Sequence, residues 1–362
     1  MEDKKQHFSR PTMQRPPSLL NLVLVAMLLG FISGLGGYLL GQSILPATDI
    51  RYLNLNQGPD NRLNIEQPLV ALAQAEAKSV AGVYRPTSVV GVLGQPMFAA
   101  DDFLGSALVV TSDGWLMTTD QVVKNNQVRI ILADQIYDIK EIKSDSYSHL
   151  VFFQVEANFL SPVDFQLTDQ VQAGERLFSS LDAPHSLEPA FYTSILANTH
   201  YSREKYLSSD KIDYYLQISG SQEEIFLSAP YFNLAGELIG LGYQLDQDLL
   251  LLPAEYLKQA VKNLLNDTSR VQLGLYYVDM ENNSGFDRKG ILIYHPSLPA
   301  VAYNSPAAQA GLRQGDQLVA INNNVITSSR SLNSILQNYR PGDKVVAKIF
   351  RNNQEQDIEI QL

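Results

Sequence analysis

The run Leu19 to Leu40 constrains this chain more than any other stretch: 22 successive residues carry no charge. As a helix such a run is about 33 Å long at 1.5 Å per residue. In hydrocarbon every backbone N–H and C=O must find a partner, which a single segment achieves only as a helix, and this length spans a bilayer. Lys4, Lys5, Arg10 and Arg15 precede the run, and no basic residue follows until Arg51. That bias keeps the amino terminus in the cytoplasm and puts the rest of the chain outside. A cleaved secretory signal is the alternative, but its apolar part is shorter and no Ala-x-Ala-like site follows closely. The sequence thus predicts a cytoplasmic tail over 1–18, a single-pass membrane anchor over 19–41 and an extracytoplasmic body, periplasmic or at the cell surface. Gly30-x-x-x-Gly34 and Gly37-x-x-x-Gly41 would allow two anchors to approach, although glycine is common in membrane helices anyway.

Beyond the anchor, Pro46 to Asn64 is rich in Asn, Asp, Gln and Gly and lacks apolar periodicity, so 42–65 reads as an exposed tether. A short helix is predicted over Gln67 to Lys78. The text then turns to short alternating or β-branched runs separated by Gly, Asp and Ser: Ser79–Val83, Leu104–Val110, Trp115–Thr118, Val128–Leu132, Ile136–Ile142, His149–Val155, Arg176–Ser180, Tyr192–Leu196, Tyr214–Ile218 and Leu238–Tyr243. This is a β-barrel or sandwich pattern. Pro253 then opens an amphipathic helix, Ala254 to Leu265, which closes the unit. About ninety residues of mixed α and β follow, with strands at Val271–Val278 and Gly290–Tyr294, helices at Pro306–Ala310 and Ser331–Gln337, and terminal strands Lys344–Arg351 and Gln356–Gln361.

Composition removes several functions. A net charge of −11 leaves no clustered cations to displace counterions from a phosphate backbone, so nucleic acid is not a partner. The absence of Cys excludes disulfides, thiolate metal sites and a cysteine nucleophile. His185 and His200 stand in polar stretches without a second ligand at helical spacing, so neither a metal nor a cofactor is expected.

Two stretches of the last ninety residues, NSPAAQAGLRQGDQLVAINNNVI and RPGDKVVAKIFRNNQEQDIEIQL, resemble the PDZ domain of HtrA/Deg-type serine proteases. Ser305 caps a helix entered through Pro306, Gly311 ends it, and Gly315-Asp316 turns into the next strand. The resemblance places the carboxylate-binding loop at Gln272, Leu273, Gly274 and Leu275. There a glycine lets successive N–H groups converge on a peptide C-terminus that adds as a strand. The same Leu-Gly-Leu could also be an ordinary strand bend.

The preceding unit resembles the chymotrypsin-like barrel of the same family at GSALVVTSDGWLMTT, NLAGELIGLGY and PAEYLKQAVKNLL. The likeness covers roughly 66–362 and implies a mainly β molecule: a transmembrane helix, a chymotrypsin-like double β-barrel over 66–266 and an α+β PDZ domain over 270–362.

The catalytic positions of that family do not carry over. Gln121 stands where the general-base His belongs, His149 where the orienting carboxylate belongs, and Leu227 where the nucleophilic Ser belongs. Gln takes no proton at neutral pH, and a neutral imidazole does not stabilise an imidazolium. The glycines of the family's oxyanion turn are missing as well, and bulky Ile225 and Phe226 disfavour so tight a turn. Asp120, His149 and Ser228 lie at or beside these positions and form the one conceivable permuted triad. A shift by one residue, however, sends a side chain to the opposite face of an extended segment.

Glu223 and Glu224 adjoin the nucleophile loop, as a solvated surface or an acidic rim. The Tyr-rich stretch Tyr201 to Tyr215 falls where the resembling proteases carry regulatory loops, and its composition names no partner. The expectation is a membrane-anchored pseudoprotease that binds C-terminal or extended segments of unfolded or extracytoplasmic proteins through the PDZ domain. The alternatives are an active serine endopeptidase with a rearranged site, and a non-catalytic subunit that tunes an active relative in a mixed trimer; the resemblance implies trimeric barrels, so the assembly is a homo- or hetero-trimer.

Overall fold

In a computed structural model, the described residues are 18–20, 23, 24, 26–33, 71, 72, 74–87, 89–91, 96–123, 127–165, 171–181, 190–202, 204–219, 227–246, 248–281 and 289–362. Residues 1–17 of the expected tail and the whole tether therefore lie outside them, as do Glu223, Glu224, Ile225, Phe226 and His185, and the His200 side chain. Residues 26–33 are helical and expose Met27, Leu28, Leu29, Phe31 and Ile32. Among the described residues no helix is long and apolar enough to cross a membrane. The chain divides into two compact units, Met1–Arg62 and Leu63–Leu362, and all the described strands lie in the second.

Its first seven strands are β1 (Val80–Tyr84), β2 (Phe103–Val109), β3 (Trp115–Thr119), β4 (Arg129–Leu132), β5 (Gln135–Tyr137), β6 (Ile139–Asp145) and β7 (Leu150–Val155). They form one antiparallel sheet in the order β5-β4-β1-β2-β3-β7-β6. β1 and β3 are buried at every position, the mark of strands covered on both faces. The single strand expected over Ile136–Ile142 is two. β5 turns back on β4 through Ala133 and Asp134, both at positive φ, and β6 pairs instead with β7.

The next strands are β8 (Arg176–Leu181), β9 (Ala190–Tyr201), β10 (Leu207–Ser208), β11 (Tyr215–Ser219), β12 (Pro230–Phe232), β13 (Leu238–Leu245) and β14 (Asp248–Pro253), followed by helix α1 (Ala254–Asn266). Six of them close a barrel in the order β11-β14-β13-β12-β8-β9. β9 runs well past the expected Tyr192–Leu196, because it pairs with β8 on one side and β11 on the other. α1 buries Ala254, Tyr256, Leu257, Ala260 and Val261, a spacing that lays one stripe on the barrel. Asp267 in the left-handed region ends it, donating its N–H to the carbonyls of Asn263 and Leu264.

The last elements are β15 (Tyr276–Asp279), β16 (Ile291–Ile293), α2 (Pro306–Gln309), β17 (Gln317–Ile321), β18 (Asn324–Val325), α3 (Leu332–Leu336), β19 (Lys344–Arg351) and β20 (Gln354–Gln361). The sheet order is β10-β15-β16-β17-β19-β20, with β18 on β17. Ser305 Oγ accepts from Ala308 N at 3.2 Å and Gly311 takes a φ of +83°, as the helix signals predict. β10, although it lies between two barrel strands in sequence, thus belongs to the sheet of the C-terminal part.

Candidate functional site: triad positions and peptide groove

β3 runs out of the first sheet at Thr119 into a turn that presents Asp120 and Gln121. Gln121 does not stand free. Its Nε2 donates to the Gln244 carbonyl at 2.6 Å and its Oε1 accepts the Gln244 N–H at 2.9 Å. Both ends of the amide are therefore committed to β13 of the closed barrel. Gln121 and Leu227 line one cavity of about 530 Å³ with Leu104, Val122, Val128, Arg85, Pro86 and Gln127. Leu227 packs on the apolar cluster of the first sheet, and its carbonyl accepts the Ser106 N–H at 3.2 Å.

His149, in the turn just before β7, has a φ of +56° and pairs through Nδ1 with Asp120 Oδ2 at 3.0 Å. The Asp120 N–H donates in turn to the His149 carbonyl at 2.9 Å. The imidazole also lies against the Tyr243 ring, with centroids 5.2 Å apart. Burial, with the Asp120 charge beside it, pushes the Tyr243 hydroxyl up to about 12.

Ser228 is fully buried, sits at a φ of +59° and accepts the Thr119 N–H on Oγ at 3.1 Å. The structure thus joins Asp120 to His149 and turns Ser228 to a backbone amide instead. None of Asp120, His149 and Ser228 lines the cavity that holds Gln121 and Leu227.

The second candidate site is the loop before β15. Gln272 is exposed, whereas Leu273, Gly274 and Leu275 are buried. Gly274 has a φ of +79°, and a Cβ there would stand 2.3 Å from the Ser305 Cβ. The strand expected over Val271–Val278 begins only at Tyr276, and the reason is visible in the amides before it. Leu273 N and Gly274 N donate to Asp210 Oδ1 at 2.9 and 3.1 Å, and Leu275 N donates to Ser209 Oγ at 2.8 Å. Side chains of another segment take the donors that a neighbouring strand would otherwise use.

Below the loop, Asp213 is buried and accepts from Tyr256 on α1 at 2.5 Å and from Tyr277 on β15 at 3.0 Å. Burial raises its carboxyl above the ordinary 3.8, against the hydrogen bonds from Tyr256, Ser331 and Tyr277 that favour the anion. Sequence reasoning missed Ser209, Asp210, Asp213 and Asn333. Ser208-Ser209-Asp210 carries turn chemistry, but nothing in the text links it to a loop more than sixty positions later.

Residues 271–362 match the family model of the PDZ domain. A protein of Marinomonas sp. (strain MWYL1) described as "Probable periplasmic serine endoprotease DegP-like" is 27% identical over 274 residues, 72% of this chain and 56% of that one. The serine endoprotease DegS of Haemophilus influenzae is 24% identical over 259 residues, 68% of this chain and 73% of its own length. The chain spans little more than half the length of the DegP-like relatives it matches. The solved HtrA-type protease AlgW with tripeptide has a TM-score of 0.58 at 19% identity, covering 80% of this chain and 95% of that one. At that identity the likeness is one of fold. Together these matches support kinship with HtrA/DegP-type serine proteases that carry a PDZ domain.

Proposed function

We propose that this chain is a membrane-anchored, extracytoplasmic HtrA-like protein that does not hydrolyse peptide bonds and works as a peptide- or protein-binding scaffold or sensor in envelope protein quality control. The carrying observation is the state of the nucleophile turn. Leu227 has no group to attack a carbonyl, and the neighbouring Ser228 Oγ is buried against the Thr119 amide. Gln121 at the expected base position holds Gln244 with both its Nε2 and its Oε1. Loss of triad members costs about 10⁶ in kcat in a serine protease. The uncharged run Leu19–Leu40 behind a basic flank supports the anchor, and the periplasmic relatives agree with a body outside the cytoplasm. The working surface is then the groove beside Leu273–Leu275, the recognition mode of strand addition.

The test is hydrolysis of unfolded casein by the purified full chain, with and without C-terminal peptides, beside the Ser228→Ala variant. No cleavage by either supports this reading. Cleavage by the wild type that vanishes in the variant overturns it in favour of an endopeptidase using Ser228. The Asp120–His149 pair at 3.0 Å and the serine endoproteases among the relatives stand on that side.

A further inference from the structure

The groove beside Leu273–Leu275 already holds a strand of this chain. β10 lies antiparallel to β15, with Leu207 opposite Tyr277 and Ser208 opposite Tyr276. Ser209 N continues the ladder to the Leu275 carbonyl at 2.9 Å. Leu207 packs on the hydrophobic core of the C-terminal unit, and Ser208 and Ser209 are buried. From the helix side, Asn333 Nδ2 on α3 donates to the carbonyls of Ser208 at 2.9 Å and Lys211 at 2.6 Å. Asn333 itself is fully buried. Strand, loop and helix therefore all close on this one segment.

The chemistry at its end is that of a captured acid. Asp210 Oδ1 accepts from Leu273 N at 2.9 Å, Gly274 N at 3.1 Å and Ser209 Oγ at 2.8 Å. Converging backbone amides form an anion site, and charge-assisted hydrogen bonds of this kind are about twice as strong as neutral ones. The segment runs toward the loop from Leu207 to Asp210. A peptide entering with its terminal carboxylate at the amides would run the same way.

We infer that Leu207–Asp210 is a resident internal ligand of the PDZ groove: the Asp210 side chain takes the place of a terminal carboxylate, and an incoming protein C-terminus binds only by displacing it. This inference rests on the groove being a peptide site. The competing ligand is a chain end with a free carboxylate and an apolar residue about three positions before it, where Leu207 now sits. Displacement would also free the Ser208 and Lys211 carbonyls from Asn333, and so loosen the barrel segment on which Asp213 meets Tyr256 and Tyr277. Occupancy of the groove and the packing of the two parts are one event.

Two measurements on the full chain test this, with wild type, Asp210→Ala and the near-isosteric Asp210→Asn. The first is amide hydrogen exchange at Leu273 and Gly274 without peptide, with Ile360 in β20 as the internal reference for global opening. The second is binding of a fluorescent decapeptide pool with free C-terminal carboxylates and apolar residues three positions before the end, beside its C-terminally amidated twin. The expected result is slow exchange at both loop amides in the wild type and faster exchange in both variants, with Ile360 unchanged. The free-acid pool should bind the variants about tenfold tighter or more, the factor by which a mostly occupied groove weakens apparent affinity, and the amidated pool should show no gain. Loop amides that exchange equally in all three proteins, with equal peptide affinity, overturn the inference. If exchange responds to Asp210 while neither pool binds any protein, the internal ligand stands and the peptide-capture reading falls.

Discussion

Thr119 donates its backbone N–H to Ser228 Oγ at 3.1 Å, so the serine next to the expected nucleophile position serves as a structural acceptor. Ser228→Ala leaves that buried N–H without a partner, which costs about 1–3 kcal/mol. Ser228→Gly loses the same bond but relieves a φ of +59°, a strain of about 1–2 kcal/mol for a side chain with Cβ. Urea unfolding should rank wild type first, Gly second and Ala last. A glycine variant weaker than the alanine variant would show that the turn is not strained.

Reinstalling two family residues will not restore proteolysis. Gln121→His gives up at least one of the two bonds to Gln244. Leu227→Ser places a hydroxyl on a residue whose carbonyl faces Gly105 so closely that a Cβ there would stand 2.4 Å from it. His149 still offers no carboxylate to orient the new imidazole. The double variant should leave casein intact and its new hydroxyl should resist a phosphonate probe. Stoichiometric labelling would mean the cleft is still competent.

Gly274→Ala tests the close approach in the loop. The added Cβ would stand 2.3 Å from the Ser305 Cβ, on a backbone with a φ of +79°. Overpacking of this sort costs about 1–3 kcal/mol, and the strained backbone adds to it. Chemical denaturation reads the loss directly. An unchanged midpoint would place Ser305 elsewhere in solution.

Asp213 gives the molecule a pH dependence of defined sign. Burial raises its folded-state value above the ordinary 3.8, so its contribution to stability is full below about 3.8 and is lost as pH rises through the raised value. Thermal melting of wild type and Asp213→Asn at intervals between about pH 4 and pH 7 isolates the carboxyl. Wild-type stability relative to the variant should fall as pH rises. A flat or rising difference would show that the three hydroxyl partners outweigh burial.

Arg351 forms a fork on Asp316, with Nε to Oδ1 and Nη2 to Oδ2 both at 2.7 Å. The aspartate side chain is only 3% exposed. Arg351→Met strands that charge and should cost about 3–5 kcal/mol. Adding Asp316→Asn should recover part of the loss. Additive losses in the double variant would deny the coupling.

Elements bounded by local signals were legible in the sequence. Pro253 and the stripe Ala254, Tyr256, Leu257 mark α1, and Ser305-Pro306 with Gly311 marks α2. β19 follows from its own alternation, and its ends match the expected Lys344–Arg351. What escaped was set by distant partners. β10 is two residues long and exists because β15 is there to pair with it, and no local pattern announces so short a strand. β12 was invisible for a similar reason, since Pro230–Phe232 gains its strand character between β8 and β13. At the positions that the resemblance assigns to the triad, flanking motifs supplied the assignment of Gln121, His149 and Leu227. They did not show that Asp120 would meet His149, because a one-residue offset decides faces only along an extended strand and Asp120 sits in a turn.

The pairing of β10 with β15 has a quantitative consequence. A ligand built into the same chain competes at an effective concentration fixed by its tether, of millimolar order for short connections, however dilute the protein is. A single stray chain end would rarely win against it. The groove would fill along the same hyperbolic curve moved to higher concentration, so that half-occupancy falls where free C-termini are abundant enough to match the built-in competitor.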